Sequence, residues 1–174
     1  MSGIREYRTG DPFSAINFKA TAKSGELRVN VKDSTSSKNY MLYLNVQINE
    51  SMWINVSDTG KIERGLSYAA AMVKDATRQG IKTGFGANCE NNRGGHYVYL
   101  ERQGGYPHLK RILEEMAKLE MKMGVSFSTL LNIDIRRKIT NTEIFILASY
   151  LSEHNEAQIH HLRKMGNTVN IIKL

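Results

Sequence analysis

Tyr40-Met41-Leu42-Tyr43-Leu44-Asn45-Val46-Gln47-Ile48 is a dense apolar run bounded by polar loops. It is too short for a well-formed buried helix. Its nearly continuous hydrophobicity, in place of an apolar and polar alternation, is the pattern of a strand covered on both faces. Such a strand belongs in the middle of a sheet with helices above and below it.

The downstream segments fit that frame. Between Lys61 and Gln79, the residues Ile62, Leu66, Ala69, Ala70, Val73 and Thr77 recur at helical spacing, and Gly80 stands where a helix stops. Ile81 to Asn88 and His96 to Arg102 read as strands. The Glu90-Asn91-Asn92-Arg93-Gly94-Gly95 connection is too short for a crossover helix, so these two pair antiparallel at a sheet edge. Pro107 opens a helix running through Leu109, Ile112, Leu113, Met116, Leu119 and Met123 to Gly124, and a shorter helix covers Phe127 to Ile133. Glu143 to Leu151 is a strand, Ser152 to Met165 a helix stopped by Gly166, and Thr168 to Ile172 a last strand. The expected class is α/β: a doubly wound, mostly parallel sheet with helices on both faces and an antiparallel edge hairpin.

Upstream, Asp33 to Lys38 is a polar loop, and Leu27, Val29 and Val31 alternate as in a half-buried strand. Before them stands Arg5-Glu6-Tyr7-Arg8-Thr9-Gly10-Asp11-Pro12, followed by Ile16-Asn17-Phe18-Lys19-Ala20-Thr21-Ala22-Lys23. Asp11 ahead of Pro12 is a good helix start; Ile16, Phe18, Ala20 and Ala22 supply an apolar side, Lys19 and Lys23 a wet one, and Gly25 closes the helix. Arg5, Tyr7 and Lys19 could bind an anion. The commoner arrangement is an internal pairing of Arg5 or Lys19 with Asp11 or Glu6 that docks the segment.

At 174 residues, 41% of them hydrophobic, the chain is of single-domain size and can bury a real core. The net charge of +7 raises the question of acidic partners, but the basic residues are scattered. Arg136-Arg137-Lys138 is the one run, without interleaved aromatics for base stacking, so nucleic acid is not the expected partner. A cationic surface near an anionic membrane face is equally physical. The single Cys89 cannot form an internal disulfide, which favours a reducing compartment. No apolar run reaches the length needed to span a bilayer, so the chain by itself reads as soluble.

The opening string, with Leu44-Asn45, Trp53, Glu63 and Gly84-Phe85-Gly86-Ala87-Asn88, resembles the bacterial domain of unknown function 58 family, in a branch lacking the metal-adhesion motif. The likeness is strongest in the opening segment and weakest after Gly124. It implies a von Willebrand factor A-like, Rossmann-like three-layer domain over 39–174, with a signature segment over 1–38 packed on it. Phe18 replaces the usual Trp there and keeps an aromatic at a buried-looking position. The resemblance also implies that the chain is a fragment of a longer, membrane-associated parent. A MoxR-type AAA+ ATPase would be the protein partner, in a cell-envelope or chaperone-like assembly.

In the fold this resembles, a divalent cation sits after the first core strand on an Asp-x-Ser-x-Ser motif. Here the positions are neutral, whether taken as Asn45, Gln47 and Asn49 or as Gln47, Asn49 and Ser51. Ser149-Tyr150-Leu151-Ser152, after the later strand, is neutral too. A hard cation needs at least one carboxylate to offset its dehydration, so the expectation is a degenerate site holding no metal and no other cofactor. Glu50 or Glu153 could be recruited only from outside the pattern.

The expected function is that of a noncatalytic interaction module. It would present the loop from Asn45 to Trp53, together with Arg5, Tyr7, Gly10, Asp11 and Lys19, to a protein; no small-molecule substrate is evident. The alternatives are a cation-dependent adhesion-like module using Asn49, Glu50 and Ser51, an enzyme built on Cys89 and His96, or a nucleic-acid binder using Arg136 to Lys138. Glu156 and His160 have ligand-like helical spacing, but His154, Glu156, Gln158 and His161 read as a solvated face opposite Ile159 and Leu162. Gly84-x-Gly86 lacks the third glycine and the following helix of a dinucleotide fingerprint.

Overall fold

The apolar run from Tyr40 becomes β3 (Asn39–Asn45), and Met41 to Leu44 are fully buried in it. Its side chains alternate between two cores. Leu42 and Leu44 pack with Ile62, Ala69 and Val73 of α2 (Thr59–Arg78) and with Ile112 and Met116 of α3 (Tyr106–Met116). Met41 and Tyr43 pack on the other face with Phe127, Leu130 and Leu131 of α4 (Phe127–Arg136) and Ile159 and Leu162 of α5 (Glu153–Lys164). The computed structural model describes residues 3–8, 16–31, 39–49 and 58–174.

Parallel pairing joins β3 to β4 (Lys82–Ala87) on one side and to β8 (Thr142–Ala148) on the other. Beyond β8 lies β9 (Thr168–Lys173), also parallel, and beyond β4 lies the antiparallel edge strand β6 (Val98–Gln103). The order β6-β4-β3-β8-β9 with helices on both faces is the Rossmann-like three-layer arrangement expected from the sequence. Gly80 and Gly166 follow α2 and α5 with φ of 72° and 89°, the left-handed conformation that glycine adopts without a Cβ penalty.

One expected element changes type. The helix opened by Pro107 ends at Met116, and Leu119–Met123 is a strand, β7, paired antiparallel with β5 (Cys89–Asn91). Leu119-Glu120-Met121-Lys122-Met123 alternates with a period of two, and its three apolar residues pack on the α2 and α3 side of the core. Gly124 therefore ends a strand and not a helix. A Cβ there would collide with the backbone carbonyl of His96.

The chain divides into two compact units, Met1–Ser36 and Ser37–Leu174. In the first, β1 (Gly3–Glu6) pairs antiparallel with β2 (Arg28–Val31), and α1 (Phe18–Ser24) lies between them in sequence. Asn17 caps α1 by accepting from the Ala20 N–H at 2.9 Å, and Gly25 closes it. Val29 is buried as its alternation implied, but Leu27 is half exposed and Phe18 is 75% exposed, so the aromatic expected inside faces water. The helix thus begins at Phe18, and Ile16, expected on its apolar side, bridges Val29 instead; Asp11 and Pro12, the expected start, lie outside the described residues. Among those described, no helix is long and apolar enough to cross a membrane.

Candidate functional site

Ligands of open α/β sheets bind beyond the carboxyl ends of the strands. Here that place is filled by two buried amides. Asn45, the last residue of β3, donates from Nδ2 to the Tyr150 carbonyl at 2.8 Å. Its Oδ1 accepts from the Gln47 N–H and from Asn88 Nδ2, both at 3.1 Å. Asn88 Oδ1 accepts from the Val46 N–H at 2.8 Å, and the Asn88 carbonyl accepts from the Gly124 N–H at 3.0 Å. Both side chains are fully buried. The pair thus ties together the ends of β3 and β4, the loop after β8 and the segment entering α4. Asn45, expected on an interaction loop, is instead internal, and its oxygen is already committed to two donors.

Hydroxyl and amide groups start the two helices nearby. Ser152 caps α5 in a capping box with Asn155, and Ser126 and Thr129 share a hydroxyl contact of 3.0 Å at the start of α4. Among the described residues no three His, Cys, Asp or Glu side chains gather as a metal site. An open cavity of about 360 Å³ lies beside the closure, lined by Glu90, His96 and Lys122 to Ser126. Lys122 Nζ donates to Glu90 at 2.7 Å and holds that carboxyl below its ordinary range, with His96 Nδ1 3.6 Å from the same carboxylate.

A second polar constellation lies under the sheet. Asp134 of α4 is fully buried, yet it accepts from the Tyr43 hydroxyl at 2.7 Å and the Tyr99 hydroxyl at 2.5 Å, and Arg102 Nη1 stands 3.5 Å away. Burial, with Asp134 alongside, pushes both phenols above their ordinary pKa, so they remain donors. Tyr43, Gly86 and Tyr99 are consecutive neighbours across β3, β4 and β6. Because Gly86 has no side chain, the ring of Tyr43 can lie over it; a Cβ there would come within 2.7 Å of that ring. The Gly84-x-Gly86 pair is therefore a packing device, with Gly84 similarly giving room to Met41 and Arg102. On the outside, the Arg137 guanidinium sits 5.1 Å over the Tyr99 ring and pairs with Glu101.

The family model for "Protein of unknown function DUF58" matches residues 3–174. The chain belongs to the DUF58 family. No curated protein matches it.

Within this DUF58 domain the remaining expected site residues fall as follows. Arg5 lies on β1, its guanidinium donating to the Glu6 carbonyl at 2.9 Å; Tyr7 follows two residues on, its N–H donating to the Leu27 carbonyl. Glu6 faces Arg28 at 3.6 Å, and Lys19 is on the exposed side of α1. Gln47 and Asn49 contact one another through Gln47 Nε2 and the Asn49 carbonyl. Gly10, Asp11, Glu50, Ser51 and Trp53 lie outside the described residues. Cys89 is buried and its thiol is pushed up to about 12, chiefly by burial, while His96 is exposed and directed to Glu90. That environment suppresses the thiolate a nucleophile needs. Sequence reasoning missed Asp134; the signal that could have found it is its place on the apolar stripe of Phe127, Leu130 and Leu131, where a carboxylate needs donors brought by tertiary structure.

Proposed function

We propose that this DUF58 domain is a noncatalytic, von Willebrand factor A-like interaction module whose cation site has been replaced by the Asn45–Asn88 amide closure. That pair is the single observation carrying the reading. In this reading it stands where a von Willebrand factor A-like domain would hold its metal, and its polar atoms are spent on one another and on the chain's own backbone. A working surface supports it as well. Tyr106, 70% exposed, with Leu109, Leu113 and Ala117 lines a largely apolar open groove of about 540 Å³ along α3, bordered by Lys110 and Glu114. Contiguous apolar surface in water is characteristic of interaction sites.

The partner in this reading is a MoxR-type AAA+ ATPase, within a longer membrane-associated parent. The test is capture of a co-expressed ATPase of that type by the purified chain, with and without a divalent-cation chelator. Retention in chelator, weakened by Tyr106→Ser, is the expected result. No complex at all, or one that chelation dissolves, contradicts the reading, the latter in favour of cation-dependent adhesion.

A further inference from the structure

We propose that β9 pairs with β9 of a second copy of this chain, joining two five-stranded sheets about a twofold axis that passes through Ile171. Among the described residues β9 ends the sheet, with β8 on one side and no strand on the other. The direction of its backbone is fixed by two contacts. The Leu174 N–H donates to Ala148 on β8, so even-numbered residues face inward; the Val169 carbonyl accepts instead from Arg163 at 2.9 Å, so odd-numbered residues face the free edge. Thr168-Val169-Asn170-Ile171-Ile172-Lys173 carries no proline, and Ile171 at its middle is 48% exposed. A β-rich edge of this kind is a template for another strand.

A second copy fits because of the charges on α5. Twofold antiparallel pairing of β9 places Ile171 opposite its own copy and Val169 opposite Lys173, and it lays the two α5 helices side by side, antiparallel, on one face of the joined sheet. The first turn of α5 carries Glu153 and Glu156, and its last turn carries His161, Arg163 and Lys164. Antiparallel juxtaposition therefore sets the acidic end of each helix against the basic end of the other. The levels also agree. Arg163 stands beside Val169, so with about 3.3 Å per strand residue and 1.5 Å per helical residue, Glu156 and Arg163 fall about 4 and 7 Å on opposite sides of the axis. Each Glu156 thus comes level with the other copy's Arg163. On pairing, the Lys173 N–H of one copy takes over the Val169 carbonyl of the other, releasing Arg163 to the facing Glu156.

Sedimentation equilibrium of the full chain tests this, with circular dichroism confirming that each variant is folded. The wild type should be a dimer. Ile171→Pro removes an N–H that, among the described residues, faces the unpaired edge, and should yield a folded monomer. Glu156→Arg, on an exposed helix face and harmless to folding, should raise the dissociation constant at least about tenfold, and Glu156→Arg with Arg163→Glu should return it to within about threefold of the wild type. A wild type that stays monomeric at every accessible concentration overturns the proposal. So does a dimer unaffected by both Ile171→Pro and Glu156→Arg.

Discussion

Asp134 shows at the residue scale how a polar group is made tolerable inside an apolar core. It is surrounded by two phenolic donors and a guanidinium, and the Tyr43 ring lies where it does because Gly86 is bare. Asp134→Ala strands those donors and should lower the unfolding free energy by about 3–5 kcal/mol in urea titrations. Gly86→Ala should cost about 1–3 kcal/mol by overpacking against Tyr43, a ring held from its other side by Phe127. Cys89 gives a pH prediction. Its folded pKa, about 12, lies above the unfolded value near 9, so the fold favours the protonated thiol. The resulting stability is complete below about pH 8.5 and is lost as pH rises towards 12; Tyr43 and Tyr99, also raised, pull the same way. Cys89→Ala should flatten the start of that alkaline limb in denaturation midpoints measured against pH.

Elements were legible where one signal dominated. The apolar run of β3, the helical spacing of α2 and the stops at Gly80 and Gly166 all place themselves, because periodicity and glycine conformation are local properties. The segment Leu119–Met123 was not, since Leu119 and Met123 also suit a helical continuation; what decides it is pairing with Cys89–Asn91, a contact remote in sequence. The same limit hid the site. Asn45 and Asn88 look like two separate loop residues until parallel pairing of β3 with β4 sets their side chains together, and Tyr43, Tyr99 and Asp134 meet only through the sheet order. Phe18 erred in the other direction, where an apolar residue at a plausible position turned out to face solvent. Where local chemistry governs, prediction is direct. Ser152→Ala removes the capping box of α5 and should cost about 1 kcal/mol, read from the urea midpoint.

At the scale of the whole molecule, the three-layer fold keeps its architecture while the ends of β3 and β4 are tied together by the buried Asn45 and Asn88 side chains. The charge of +7 is spread over the chain, and beside the closure Glu90 is already matched by Lys122. In the proposed reading function belongs to surfaces: the groove along α3 and, among the described residues, the unpaired edge of β9. The most direct test is to titrate the intact chain with magnesium, manganese and calcium by calorimetry while following its thermal unfolding. A ligand that binds only the folded state must raise the melting temperature with concentration. With the Asn45 oxygen committed to Gln47 and Asn88, millimolar cation should give no saturable heat and leave the melting temperature unchanged. Saturable heat with a concentration-dependent rise in melting temperature would contradict the account.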